Sequence, residues 1–164
     1  MKGEYLLKSK RVLIVDDEPE VLETLEEILY MCDVTKAHSF HEAKELLKNE
    51  SFDIAVLDIM GVDGYTLLKI AINRKVISVI LTAHALSVED TIASFEKGAN
   101  FYVPKEKMSD IASYLNDVLE AKEKGQTSWW WWLDRFGSYY DRKFNSEWRD
   151  KKGEFLERLK CRAL

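Results

Sequence analysis

The sequence is poor in cysteine and has no long apolar run. Cys32 and Cys161 lie far apart with no partner motif, which argues against a disulfide framework and favours reduced thiols. The cysteines and the three histidines also lack the spacing of zinc ligands. No stretch approaches the roughly 20 apolar residues of a membrane span, and the charged residues 1–8 do not resemble a signal peptide. We therefore expect a globular protein of the cytoplasm.

Charge and aromatic content divide the chain into two parts. Residues 1–124 carry 15 Lys and Arg and 23 Asp and Glu, a net charge of −8. Residues 125–164 carry 9 basic and 6 acidic residues, a net charge of +3, and hold all five tryptophans. This shift predicts a main domain over 1–124 and an aromatic-rich helical extension over 125–164, joined near Gly125.

Strand and helix patterns alternate five times within the main domain. Short apolar runs predict parallel strands that helices cover on both faces, and apolar residues at helical spacing predict a helix after each strand. Such units predict an α/β fold with a doubly wound, five-stranded parallel sheet and right-handed crossovers. The predicted strands are 11–15, 33–37, 52–57, 76–81 and 99–103, and the predicted helices begin near Pro19, Ser39, Gly64, Ser87 and Ser109.

Four of the predicted strands end in a polar group. These groups are Asp16-Asp17 after the first strand, Asp58 after the third, Thr82 after the fourth and Lys105 after the fifth. In open α/β sheets, ligands bind outside the carboxyl ends of the strands. We therefore expect three carboxylates, a hydroxyl and an ammonium group to meet at one edge of the sheet.

This combination of groups suits a divalent cation and a phosphoryl group. Neighbouring carboxylates raise one another's pKa, and a cation relieves their repulsion. Mg²⁺ prefers oxygen ligands and is held by one or two carboxylates together with phosphate oxygens and water. A carboxylate can attack phosphorus to give an aspartyl-phosphate, while the metal and a lysine neutralise charge on the transferring group. A threonine hydroxyl can donate one further hydrogen bond.

The polar strand ends belong to a wider set of motifs. Its members are Asp16, Asp17, Asp58, Thr82, Ala83, Tyr102 and Lys105. This set resembles the response-regulator receiver family of two-component signalling, and the resemblance covers about residues 10–122. It implies a receiver domain over 1–124, with the flavodoxin-like strand order 2-1-3-4-5.

The resemblance implies a phosphoacceptor and a metal site. Asp58 is expected to accept a phosphoryl group from a sensor histidine kinase or a phosphotransfer protein. Mg²⁺ is expected to bind Asp16, Asp17 and Asp58, directly or through water, together with the Met60 backbone carbonyl. The protein is then expected to change shape and signal through protein contacts.

The resemblance also implies groups that sense the phosphoryl group. Thr82 and Lys105 are expected to bind it, and Tyr102 to turn inward as Thr82 moves. The alternative explanation for Tyr102 is a half-buried aromatic residue of a strand with no switch role. Ala83 and His84 are expected to border the site, although His84 is equally well explained as an exposed loop histidine.

Three features depart from the family pattern. The family usually has a Met-Pro pair before an Asp-Gly in this loop, whereas Met60 runs directly into Gly61–Gly64 without a proline. The segment between the third and fourth strands is also short, which predicts a trimmed third helix. Lys105 precedes Glu106, where the family commonly has a proline. Pro104 is therefore the only proline next to Lys105 that can restrain the loop. None of these departures removes a chemical group of the site.

The extension carries aromatic and apolar residues at helical spacing. They are Trp129, Leu133, Phe136, Tyr140, Phe144 and Trp148. Gly137 interrupts this stripe, and residues 154–164 predict a second short helix. The extension is expected to fold back on its own domain or pair across a homodimer, or else to dock on a protein partner, since Trp and Tyr anchor interfaces. Membrane and nucleic-acid binding are less favoured because acidic residues dilute its positive charge.

Two other functions are compatible with this fold. An aspartyl-phosphate phosphatase usually needs a second Asp two residues past the nucleophile, where this chain has Met60. A pseudo-receiver scaffold would not need an intact five-group site. We therefore expect a signalling receiver and not an enzyme, with a partner or homodimer contact through helix 4, strand 5 and helix 5 or through the extension.

Overall fold

A computed structural model describes residues 6–83 and 87–163, and its elements are numbered here in chain order. Strands β1 to β5 span Arg11–Val15, Asp33–Ala37, Ile54–Leu57, Ile77–Thr82 and Phe101–Pro104. Helices α1 to α6 span Pro19–Ile28, Phe40–Asn49, Gly64–Asn73, Val88–Glu96, Ile111–Glu123 and Ser128–Ala163. A 3₁₀ segment, Lys105–Asp110, connects β5 to α5.

The strands form one parallel sheet in the order β2-β1-β3-β4-β5. This arrangement confirms the predicted doubly wound, flavodoxin-like sheet. Strands β3, β4 and β5 are buried along their whole length, as their continuously apolar sequences predict. Strand β2 lies at an edge and is only partly buried, which explains its weaker sequence pattern.

Local capping fixes where two of the helices begin. The Ser39 hydroxyl accepts a hydrogen bond from the Glu42 amide at 3.2 Å, and the Ser87 hydroxyl accepts one from the Asp90 amide at 3.0 Å. Just past the end of α4, Gly98 has a φ of +106°, where a side chain would meet Ile72. The predicted helix starts and the predicted glycine stop are therefore confirmed.

The extension forms one continuous helix of 36 residues, α6. The predicted interruption at Gly137 and the separate helix over 154–164 are therefore wrong. A glycine inside a helix costs about 1 kcal/mol relative to alanine, and packing of the aromatic face on both sides of Gly137 outweighs this cost. No helix in the described ranges has both the length and the apolar character to cross a membrane.

Helix α6 folds back on its own domain and covers α4, β5 and α5. This outcome agrees with the first of the arrangements expected for the extension. This packing buries aromatic side chains of α6 itself, namely Trp129, Trp132, Phe136, Tyr140 and Trp148. The predicted stripe packs against the core, with Leu133 and Phe144 only partly buried, and the fully buried Trp132 joins it.

Trp132 is at the centre of an aromatic cluster between α6 and the main domain. Its ring contacts Phe95 of α4 edge-on, with ring centroids 5.3 Å apart, and Tyr140 of α6 at 4.9 Å. Such edge-to-face pairs add to the free energy of burying the rings. The neighbouring Trp130 is 48% exposed, so the run of four tryptophans is divided between the interface and the solvent.

We expect Trp132→Ala to lower the free energy of unfolding by about 3–5 kcal/mol, because it empties a fully buried aromatic site. Trp130→Ala, in the same run, should lower it by only about 0.5–1.5 kcal/mol, because the half-exposed Trp130 ring loses its stacking on Trp129 but leaves no buried cavity. Urea unfolding of the two variants and the parent chain measures both values. Equal losses in the two variants would show that α6 does not pack as described.

Candidate functional site

The strand register brings the first and third strand ends together. Val15 of β1 pairs with Leu57 of β3, and so Asp16 and Asp58 follow at adjacent positions of the same sheet edge. The Asp58 amide donates a hydrogen bond to the Val15 carbonyl at 3.1 Å, which continues the ladder by one residue. Both carboxylates are therefore positioned by the rigid centre of the sheet.

The same register brings Thr82 and Lys105 to this edge. Leu57 pairs with Ile80, and Thr82 of β4 pairs with Pro104 of β5. Thr82 is fully buried at the end of its strand, and Lys105 is the first residue after β5. The strand ends that the sequence predicts to converge do so along one edge.

The Lys105 ammonium lies between the carboxylates. Its Nζ is 2.8 Å from Asp16 Oδ2, 3.6 Å from Asp58 Oδ2 and 3.4 Å from Glu18 Oε1. The side chain of Lys105 is 11% exposed, and those of Asp16 and Asp58 are 2% and 4% exposed. A buried cation beside two buried carboxylates offsets part of the cost of removing those charges from water.

Burial shifts the pKa values of these three groups. Desolvation, assisted at Asp58 by the Asp16 charge, raises the pKa of both carboxyls above the ordinary value of 3.8. Lys105 opposes this effect in both cases. Burial alone would lower the pKa of Lys105, but the hydrogen bond and charge of Asp16 outweigh it and raise that pKa. The site thus holds more negative charge than one lysine neutralises.

Three consecutive acidic residues after β1 form a group that could hold a metal ion. Carboxylate oxygens of Asp16, Asp17 and Glu18 lie within 4.8 Å of one another. The Glu18 amide also donates a hydrogen bond to Asp16 Oδ1 at 2.9 Å, which shapes this turn. Glu18 is absent from the predicted site, although the run of three acids in the sequence was a signal that could have identified it.

The loop after β3 passes close to Asp17. Gly61 has a φ of +84°, and a Cβ built on it would lie 2.5 Å from Asp17 Oδ2. A Cβ on Gly64 would overlap the Asp58 carbonyl. These glycines allow the backbone to approach the acidic group, while the Met60 side chain is exposed. The Met60 carbonyl remains a predicted ligand.

The donor set fits a hard divalent cation such as Mg²⁺. Its members offer only oxygen ligands, as Mg²⁺ requires. The Met60 backbone N–H is hydrogen-bonded to the Asp58 carboxyl and lowers its pKa, whereas Oδ1 of Asp58 is buried without a well-aligned donor among the described residues. A buried oxygen with no partner beside an excess of negative charge is a place where a cation would be stabilised.

The remaining predicted residues differ in how the structure places them. Ala83 is exposed directly after β4, and His84 lies outside the described residues. Tyr102 is fully buried on β5 and not half-buried, because α6 covers it. Burial raises the pKa of Tyr102.

A cavity of about 480 Å³ lies at the amino ends of the strands, where β4 and β5 begin and away from the acidic groups. Its lining includes Lys75, Lys122 and Trp129 but no carboxylate among the described residues. It therefore lacks the carboxylates needed to hold a metal ion or to form an aspartyl-phosphate, and the acidic edge is the candidate site.

Comparison with known proteins agrees with the geometry. Residues 12–116 match the model of the response regulator receiver domain family. The chain belongs to this family. It is thus a receiver of two-component signalling, and the family match ends before α6 begins.

Individual relatives support the same assignment. The probable transcriptional regulator ycf27 of Guillardia theta is 35% identical over 121 residues, which cover 68% of this chain and 48% of that protein. A response regulator receiver domain protein (CheY-like) of Methanospirillum hungatei JF-1 has a TM-score of 0.64 at 28% identity, covering 71% of this chain and 98% of that one. The receiver spans about half the length of the curated relatives it matches.

A third relative is known from a solved structure. It is the BeF₃-activated N-terminal receiver domain of Klebsiella pneumoniae RstA, with a TM-score of 0.61 at 30% identity. The alignment covers 66% of this chain and 97% of that one.

We expect Asp58→Asn to raise the free energy of unfolding at pH 7 in the absence of Mg²⁺. Because the pKa of Asp58 is raised in the folded state, the wild-type acid contributes most stability when protonated and loses it as pH rises through that pKa. Each unit of the pKa shift corresponds to about 1.4 kcal/mol. The difference in the free energy of unfolding between Asp58→Asn and the wild type should therefore shrink as the pH falls towards 4.

Urea unfolding of both proteins between pH 4 and pH 7 measures this difference. Asp33→Asn serves as a control, since Asp33 is an exposed aspartate at the other end of the sheet. A variant that is less stable than the wild type at pH 7 would contradict the assigned electrostatics.

Proposed function

We propose that this receiver accepts a phosphoryl group on Asp58 from a histidine kinase or a phosphotransfer protein. The observation that carries the proposal is the unequal pairing of the two Asp58 oxygens. Oδ2 faces the Lys105 ammonium at 3.6 Å, while Oδ1 is buried without a hydrogen-bond partner among the described residues. One oxygen thus faces the lysine, and the carboxylate keeps an unpartnered oxygen, so that it can serve both a metal ion and phosphorus.

In the proposed reaction, one carboxylate oxygen of Asp58 attacks the phosphorus of the donor, and the other would remain as a metal ligand. The bond from phosphorus to the donor imidazole nitrogen breaks, and the imidazole leaves with the electron pair and takes up a proton. The product is an acyl phosphate on Asp58. Lys105 stays beside the oxygens of the transferred group and stabilises their negative charge.

Asp16 and Asp17 would hold Mg²⁺ in this proposal, with Asp58, the Met60 carbonyl and water as further ligands. When bound, the metal supplies charge neutralisation for the incoming phosphoryl oxygens. Glu18 adds a third acidic group next to the metal ligands. Its ion pair with Lys105 also restrains that lysine before the phosphoryl group arrives.

Thr82 would donate a hydrogen bond to a phosphoryl oxygen, since it ends the strand next to that of Asp58. Tyr102 would respond to this movement as a switch on the adjacent strand β5. The signal then passes to a protein partner through a change in shape. A homodimer through α4, β5 and α5 would require displacement of α6, which covers that surface.

The proposed role is that of a phosphoacceptor and not of a phosphatase. A phosphatase of this chemistry needs a general acid two residues past the nucleophile. The exposed thioether of Met60 is there instead, and it cannot donate a proton. The intact set of Asp16, Asp58 and Lys105 argues equally against a pseudo-receiver scaffold.

Incubation with a small phosphodonor and Mg²⁺ tests the proposal. Intact-protein mass spectrometry should detect one added phosphoryl group in the wild type and in the Asp33→Asn control. Asp58→Asn should acquire none, and chelation of Mg²⁺ should suppress the reaction. An equal mass gain in Asp58→Asn would reject Asp58 as the acceptor.

A further inference from the structure

We propose that helix α6 positions Lys105, with Trp132 and Lys143 as positioning residues for the phosphoryl site. The proposal rests on the function proposed above for Asp58 and Lys105. It concerns a helix outside the family match, which ends at residue 116. Lys105 itself makes the contacts with Asp16 and Asp58, and α6 acts on the chain segment on either side of it.

The first contact lies on the strand before Lys105. The Trp132 indole N–H donates a hydrogen bond to the Tyr102 backbone carbonyl at 2.7 Å, in a fully buried environment. Strand β5 pairs only with β4 in the described sheet. The indole thus satisfies a carbonyl of an edge strand, three residues before the lysine, and fixes the end of that strand.

The second contact lies directly after Lys105. The Lys143 ammonium pairs with Glu106 Oε1 at 3.3 Å and also lies 3.2 Å from the Tyr139 hydroxyl. The Lys107 ammonium lies over the Tyr139 ring, 5.4 Å from its centroid. Helix α6 therefore contacts the segment both before and after the lysine.

In the described part of the chain, no local cap fixes the start of this segment. Pro104 cannot donate a backbone hydrogen bond, and the 3₁₀ segment that begins at Lys105 has no side-chain cap. Glu106 stands where the family commonly has a proline. The ion pair of Glu106 with α6 supplies an alternative restraint at that position.

Other contacts attach α6 to the domain without touching this segment. Arg135 makes a two-pronged ion pair with Asp117 of α5, at 2.7 and 3.1 Å. The Tyr140 and Thr91 hydroxyls share a hydrogen bond of 2.5 Å. Arg135→Gln therefore weakens the attachment of α6 away from Lys105 and is the matched control.

The first experiment tests positioning without any phosphodonor. Amide hydrogen exchange at residues 105–107 should accelerate about twofold to tenfold in Trp132→Phe, which keeps a ring but loses the N–H donor. The Arg135→Gln control should leave these amides unchanged. No acceleration in Trp132→Phe, or equal acceleration in both variants, would overturn the proposal.

The second experiment measures binding of beryllofluoride with Mg²⁺, a phosphoryl mimic, to the full chain. Trp132→Phe should bind it about twofold to tenfold more weakly. Glu106→Lys and Lys143→Glu should each weaken binding about twofold, as an exposed ion pair allows. The double variant with exchanged charges should recover the wild-type affinity, and Arg135→Gln should retain it.

The outcomes separate this proposal from the function on which it rests. A wild-type chain that neither binds beryllofluoride nor gains a phosphoryl group rejects the proposed function, while the amide exchange still decides whether α6 positions Lys105. Wild-type binding with unchanged affinity in Trp132→Phe rejects the positioning role alone. Failure of the charge exchange to restore affinity removes Lys143 from the proposal.

Discussion

The pairing of Lys105 with Asp16 and Asp58 is the interaction on which the site depends. Two buried carboxylates at adjacent strand ends repel each other, and desolvation raises the pKa of both. The lysine offsets this repulsion from the end of β5, at 2.8 and 3.6 Å. Residual negative charge from Asp17 and Glu18 is left at the exposed side. That imbalance favours a cation at the site, and such a cation together with Lys105 would offset the negative charge of an incoming phosphoryl group.

Because the lysine directly follows the edge strand β5, its position depends on what covers that strand. In this chain the cover is α6, whose aromatic face buries β5 and whose polar groups contact the residues around Lys105. The surface formed by α4, β5 and α5 is therefore occupied within the chain itself. A signal that leaves through this surface must alter the packing of α6.

The acidic edge of the sheet could be predicted from the sequence because the strand ends fix its position. Asp16, Asp58 and Lys105 each follow a short apolar run, and parallel strands place their carboxyl ends together. Glu18 is absent from the predicted set because a single exposed acid at a helix start is ordinary, and only its place in the run Asp16-Asp17-Glu18 distinguishes it.

A different reason explains why the sequence does not predict one continuous helix α6. Gly137 disfavours a helix locally, yet packing against the main domain outweighs that preference. Periodicity selected Leu133 where the structure buries Trp132, because adjacent residues differ by only 100° around a helix and the partner surface decides between them.

A crystal structure of the full chain with Mg²⁺ and beryllofluoride tests the central claim most directly. The account predicts beryllium bonded to an Asp58 carboxylate oxygen, Mg²⁺ among the oxygens of Asp16 and Asp17, and Lys105 Nζ within hydrogen-bond distance of a fluoride. A lysine that remains on Asp16 alone, or a mimic bound away from Asp58, would contradict it.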